Sequence, residues 1–74
     1  MAMFDRIQVD PNICSGKPVI RGKRFPVHQI VDLVASGQTA EQIIEDFPYL
    51  DAEDIHQALR YAAALTRNEV SSLP

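Results

Sequence analysis

The chain has 74 residues, a net charge of -3 at pH 7 and 46% apolar side chains. That length holds one domain, buries only about 60% of the unfolded surface and makes self-association a natural remedy for low stability. The acidic balance argues against indiscriminate coating of nucleic acid, and the single cysteine excludes an internal disulfide. No apolar run approaches the ~18 residues of a membrane span and no secretory leader is recognised, so a reduced, cytoplasmic setting is expected.

Met1–Arg6 is expected to be a loosely held start. Ile7-Gln8-Val9 alternates apolar and polar residues as a half-buried strand does, and Asp10-Pro11-Asn12 breaks it. Val19-Ile20, bounded by Pro18 and Gly22, pairs with it in a two-stranded ribbon. Such a ribbon is marginal alone, so the helices must cover it. Cys14 to Val27 holds two of the three glycines, two of the five prolines and four of the seven basic residues, Lys17, Arg21, Lys23 and Arg24. Glycine permits positive φ and proline fixes φ, so this segment reads as a shaped, mostly extended arm. From Gln29 to Leu59 every Asp, Glu, Lys or Arg is acidic. The chain is electrically divided.

The first helix is expected to have Pro26 in its first turn, Val27, Ile30, Val31 and Val34 on one face, and Gly37 at its end. Thr39-Ala40-Glu41-Gln42 is a capping box for a second helix, whose stripe is Ala40, Ile43, Ile44 and Phe47 and whose stop is Pro48. Asp51 caps a third helix, with Glu53 and Asp54 favoured in its first turn by the helix dipole. Its buried face should be Ile55, Ala58, Leu59, Ala62 and Leu65, and Val70–Pro74 a frayed tail. The fold class is mainly α, a three-helix homeodomain-like helix-turn-helix with a short N-terminal β ribbon. The whole chain, 1–74, is one domain: an arm over about 7–26, helices over about 27–67, and a short tail.

Several chemistries are unfavoured. Gly16 to Lys23 superficially suggests a phosphate loop, but the glycine spacing is one residue too long, Pro18 removes a backbone donor and Arg24 stands where a metal-binding hydroxyl belongs. Cys14, His28 and His56 lack the close spacing of a zinc site. Cys14 reads as a small buried or half-buried residue and both histidines as surface residues. No third group positions Cys14 for nucleophilic work, and the acids are accounted for by capping, dipole pairing and solubility. No cofactor, metal or enzymatic activity is expected.

The basic arm is the better candidate for binding. Arg21 and Arg24 carry planar forks suited to phosphate or guanine edges, and Lys17 and Lys23 act as point charges. The competing reading is that these cations neutralise the acid-rich helices, within the chain or across a dimer. The third helix opens with Asp51, Glu53 and Asp54, which repel a polyanion at short range. His56, Gln57 and Arg60 are the residues that reach DNA from farther along it.

Asp10-Pro11, Gly16-Lys17-Pro18, Ile20-Arg21-Gly22, Arg24, Pro26-Val27, Gly37 and Phe47-Pro48-Tyr49-Leu50 together resemble the small bacterial family known as domain of unknown function 433. The resemblance covers about residues 7–63. It implies a winged or homeodomain-like helix-turn-helix, often dimeric. It also implies the role of antitoxin in a type II toxin–antitoxin pair with a PIN-like ribonuclease toxin. Lys23 stands where the family usually has threonine, so this arm is expected to anchor its turn by other means. The resulting expectation is an antitoxin-like DNA-binding regulator, a homodimer with no membrane association, contacting DNA through Lys17, Arg21, Lys23, Arg24 and Arg60. The alternative is a homo-oligomeric protein-interaction module that binds no DNA. Four arm charges per protomer on phosphate predict a log affinity against log salt slope of about -3.6.

Overall fold

The computed structural model describes residues 4–71, with side chains described to residue 67. Three short strands, β1 (Ile7–Gln8), β2 (Val19–Ile20) and β3 (Phe25–Pro26), precede three helices, α1 (Val27–Ala35), α2 (Ala40–Asp46) and α3 (Ala52–Ser71). The strands form one antiparallel sheet in the order β1-β2-β3, with Ile7 opposite Ile20 and Ile20 opposite Phe25. The fold is mainly α, as the helical spacings indicate, and the expected two-stranded ribbon has gained a third strand.

That third strand turns the basic arm into a hairpin. The Ile20 carbonyl accepts from the Lys23 and Arg24 amides at 3.1 and 3.0 Å, closing a tight turn over Arg21-Gly22-Lys23-Arg24. Gly22 has φ +77° and nothing lies within 4 Å of where its Cβ would be, so glycine is there for backbone freedom, not for space. Pro26 ends β3 and caps α1 from outside with φ -65° and ψ 137°. The expected proline in the first helical turn is therefore displaced by one residue, because its amide-free nitrogen also suits a strand end.

Gly37 terminates α1 as expected. Its amide donates to the Val34 carbonyl and that of Gln38 to Leu33, while Gly37 itself sits at φ +103°. This is the paired hydrogen-bond pattern that closes a helix through a left-handed residue. Thr39 and Gln42 make the expected reciprocal capping box on α2. On α3, Asp51 Oδ1 accepts from the Asp54 amide at 2.9 Å, and Asp54 Oδ2 accepts from the Asp51 amide at 3.1 Å. Two aspartates thus perform the same exchange that Thr39 and Gln42 perform one helix earlier.

The core is formed by Ile7, Ile20, Phe25, Val27, Ile30, Ile43, Leu50, Ile55 and Ala58. It lies where the sheet, α1, α2 and the first half of α3 meet. Four expectations need correction. Phe4–Arg6 is not loose: Phe4 packs edge-on against Tyr61 at 5.4 Å, and the Ile7 amide closes a turn onto the Phe4 carbonyl; Met1–Met3 lie outside the described residues. Ala40 is exposed, since it begins α2 on its outer side. Leu65 is 41% exposed, because α3 runs past the end of the core. Val70 and Ser71 continue α3 instead of starting a tail, and residues 72–74 lie outside the described region.

Candidate functional site

The arm's four cations are dispersed by the fold into four settings. Lys23 reaches from the hairpin tip to α3, where its Nζ lies 2.5 Å from Asp54 Oδ2. Asp54 is 1% exposed, and its other oxygen accepts from Arg6 Nη1 at 3.1 Å. The same Arg6 nitrogen lies 2.5 Å from Asp51 Oδ1. Asp54 therefore receives two cations and a backbone amide, which satisfies a carboxylate that burial would otherwise penalise severely. The Lys23–Asp54 pair anchors the turn to α3, in keeping with the expectation that this arm is anchored by other means.

Around this carboxylate a polar lattice ties the start of the chain to α3. Gln57 is 6% exposed. Its Nε2 donates to Asp5 Oδ1 at 2.7 Å and to Glu53 Oε2 at 3.0 Å, while its Oε1 accepts from the Arg6 amide at 3.0 Å. Gln57 cannot reach DNA, correcting the expectation that grouped it with His56 and Arg60. The expected repulsion from the first turn of α3 changes too: Asp54 is buried and Asp51 is paired. The amide of Asp54 and the Arg6 guanidinium hold the Asp51 carboxyl below its usual range. Asp51 and Asp54 in turn hold the proton of Arg6 more firmly.

Arg21 is exposed, and it is held in place by main chain. Its Nε donates to the Asp5 carbonyl at 3.0 Å and its Nη2 to the Ile7 carbonyl at 3.2 Å. Together with Arg6, Lys23 and the three aspartates it borders a hollow of about 320 Å³ beneath the hairpin. Arg24 is different. It is exposed, has no side-chain hydrogen bond or ion pair among those of the described residues, and adopts φ +55°. That left-handed conformation costs a non-glycine residue roughly 1–2 kcal/mol.

Lys17 is not at the hairpin tip. The Val27 amide donates to the Pro18 carbonyl at 3.0 Å, which places Lys17 and Pro18 at the start of α1. Lys17 borders a separate apolar groove between α1 and α3. Arg60 and His56 lie on the exposed side of α3. Cys14 is exposed, against the expectation of a buried or half-buried thiol. Its turn, Cys14-Ser15-Gly16, has positive φ at all three residues and faces the chain outward. Among the described residues no group of three or more His, Cys, Asp or Glu is placed to hold a metal, and no helix is long and apolar enough to cross a membrane.

Sequence reasoning missed Arg6, Asp5 and the burial of Asp54. Their long-range partners in this lattice lie 31 to 52 positions away, so no local spacing reveals them. The one available signal was Lys23, at which the resemblance led another kind of anchor to be expected.

The family model described as "Protein of unknown function (DUF433)" matches residues 7–62. A curated relative, "Uncharacterized protein y4eO" of Sinorhizobium fredii (strain NBRC 101917 / NGR234), is 46% identical over 54 residues. That match takes in 73% of this chain and 24% of the relative, so the chain spans about a quarter of the relative's length. A crystal structure of a DUF433 member from Anabaena variabilis is similar at 30% identity with a TM-score of 0.77, over 85% of this chain and 62% of that one.

Proposed function

The chain belongs to the DUF433 family, and on that footing we propose that it is an antitoxin-like DNA-binding regulator of a type II toxin–antitoxin pair. In this reading it is a non-enzymatic, cytoplasmic, homeodomain-like helix-turn-helix domain, and a second surface neutralises a PIN-like ribonuclease. Two copies acting together double the phosphate contacts. The contacts fall to Arg24 and Arg21 on the hairpin and to Arg60 on α3. Lys23 positions the hairpin, and Lys17 lies apart on the α1–α3 groove.

The observation that carries this reading is Arg24: an exposed cation at a hairpin tip, kept in a conformation that glycine would adopt without strain. Strained backbone of this kind clusters at functional sites, and it persists where the surrounding structure holds it. The acidic first turn of α3 also obstructs DNA less than its sequence suggests, since Arg6 and Lys23 neutralise Asp51 and Asp54 and leave Glu53 as its one unpaired acid among the described residues.

The test is a fluorescence-anisotropy titration of labelled DNA from immediately upstream of the gene, at two salt concentrations, with scrambled DNA as control. Saturable, selective binding that weakens with salt and disappears in an Arg21→Ala, Arg24→Ala double variant is expected. No binding at micromolar protein, with or without a co-purified partner, removes the DNA reading. The second reading, a homo-oligomeric interaction module that binds no DNA, is favoured by the Lys23–Asp54 pair, which shows an arm cation already engaged by an acidic helix.

A further inference from the structure

The groove between α1 and α3 has a volume of about 510 Å³ and an apolar floor that includes Val27, Val31, Ala62 and Leu65. Spacing along α3 puts Leu65 in the same stripe as Ile55 and Ala58, which are buried, yet Leu65 is 41% exposed. The stripe continues beyond the core that it serves. The polar ends of the groove carry opposite charges. Lys17 stands beside Pro18 at the start of α1, and Asp32 lies five residues beyond Val27, about 7.5 Å along the helix axis. The Asp32 side chain is 80% exposed, and among the described residues its one basic neighbour within 4 Å is His28, with Nδ1 at 3.9 Å.

We infer that this groove is the surface through which two copies of the chain meet, α3 against α3 about a two-fold axis. A two-fold interface is self-complementary, so each contact occurs twice. Leu65 of each copy then enters the groove of the other, and reversal of direction brings Lys17 of each copy towards Asp32 of its partner. The inference names the surface of the dimer included in the proposed function. It is decided by oligomeric state, whereas the regulator reading is decided by DNA titration, so either can fail alone.

Sedimentation velocity across about 1–100 μM of full-length chain is the test. The wild type is expected to be dimeric, and Leu65→Glu monomeric with unchanged circular dichroism. Lys17→Glu and Asp32→Lys are each expected to weaken the dimer about tenfold, and the two together to restore it; both residues are exposed, so these variants fold whether or not the Leu65 variant does. A wild-type monomer throughout the range overturns the inference. So does a dimer that ignores Leu65→Glu, or a double charge exchange no tighter than the single ones.

Discussion

Asp54 is the residue on which the arm depends, and its surroundings make the consequences of removing it unequal. Asp54→Ala leaves Lys23 and Arg6 without their shared acceptor and the Asp51 amide without its cap. Breaking a buried pair costs about 3–5 kcal/mol, and because both cations are about a third exposed the expected loss is about 2–3 kcal/mol. Lys23→Met leaves Asp54 with Arg6 and an amide, so about 1 kcal/mol is expected. At roughly 4–8 °C per kcal/mol for a domain of this size, thermal melting separates the two variants clearly. Asp51 answers to pH. Its carboxyl is depressed in the folded chain, first by the Asp54 amide and then by Arg6. The stability it contributes is therefore complete above the unfolded value of about 3.9 and is lost as pH falls through the lower folded value. Melting temperature should fall more steeply below about pH 4 in the wild type than in Asp51→Asn; equal slopes would contradict this account. Arg24→Gly relieves a left-handed residue but adds freedom to the unfolded chain. A net gain of about 0.5 kcal/mol is expected, with a Tm higher by a few degrees and weaker DNA binding. A gain in stability with undiminished binding would show that Arg24 is not the contact.

Among the elements, the helices were legible in the sequence and the hairpin was not. Val27, Ile30, Val31 and Val34 announce α1, and the Thr39–Gln42 capping box announces α2, since both signals are carried by neighbours three or four residues apart. Thr39→Ala should accordingly cost about 1 kcal/mol, read as a lower midpoint in urea with an unchanged slope. The third strand was hidden because Phe25-Pro26 is too short to alternate visibly, and proline reads more readily as a helix start. The box opening α3 was half visible: Asp51 looks like a cap, but an aspartate three residues later looks like a solvated charge. Its burial depends on Lys23 and Arg6, which arrive from other elements. The same limit divided the candidate site. Arg24 and Arg60 are exposed as their positions suggest, whereas the roles of Lys17 and Lys23 depend on which helix their segment meets. Local pattern specifies elements; the partners of a long cationic side chain are specified only by packing.

For the whole molecule, the division of charge in the chain is closed within the fold only at the start of α3, and this changes what salt should do. Two cations, Arg6 and Lys23, are committed to the acids of α3, and Lys17 lies on the groove away from the hairpin. If the chain binds DNA as proposed, Arg21, Arg24 and Arg60 remain to neutralise phosphate, and at about 0.9 per contact the expected slope of log affinity against log salt is about -2.7 per protomer, not the -3.6 expected from four arm charges. The variants distinguish the two cases better than the absolute value does. If Lys23 neutralises no phosphate, Lys23→Met shifts the affinity through hairpin position but leaves the slope unchanged, whereas Arg24→Ala reduces the slope by about 0.9. If instead Lys23→Met reduces the slope by the same amount, the Lys23–Asp54 pair opens when DNA binds, and Asp54 must then find its remaining counter-charge in Arg6. The cost of opening would appear as tighter binding by Asp54→Asn, which frees Lys23 in advance. Measuring the slopes of Lys23→Met, Arg24→Ala and Asp54→Asn on one DNA therefore determines whether the buried carboxylate merely fixes the hairpin or competes with DNA for it.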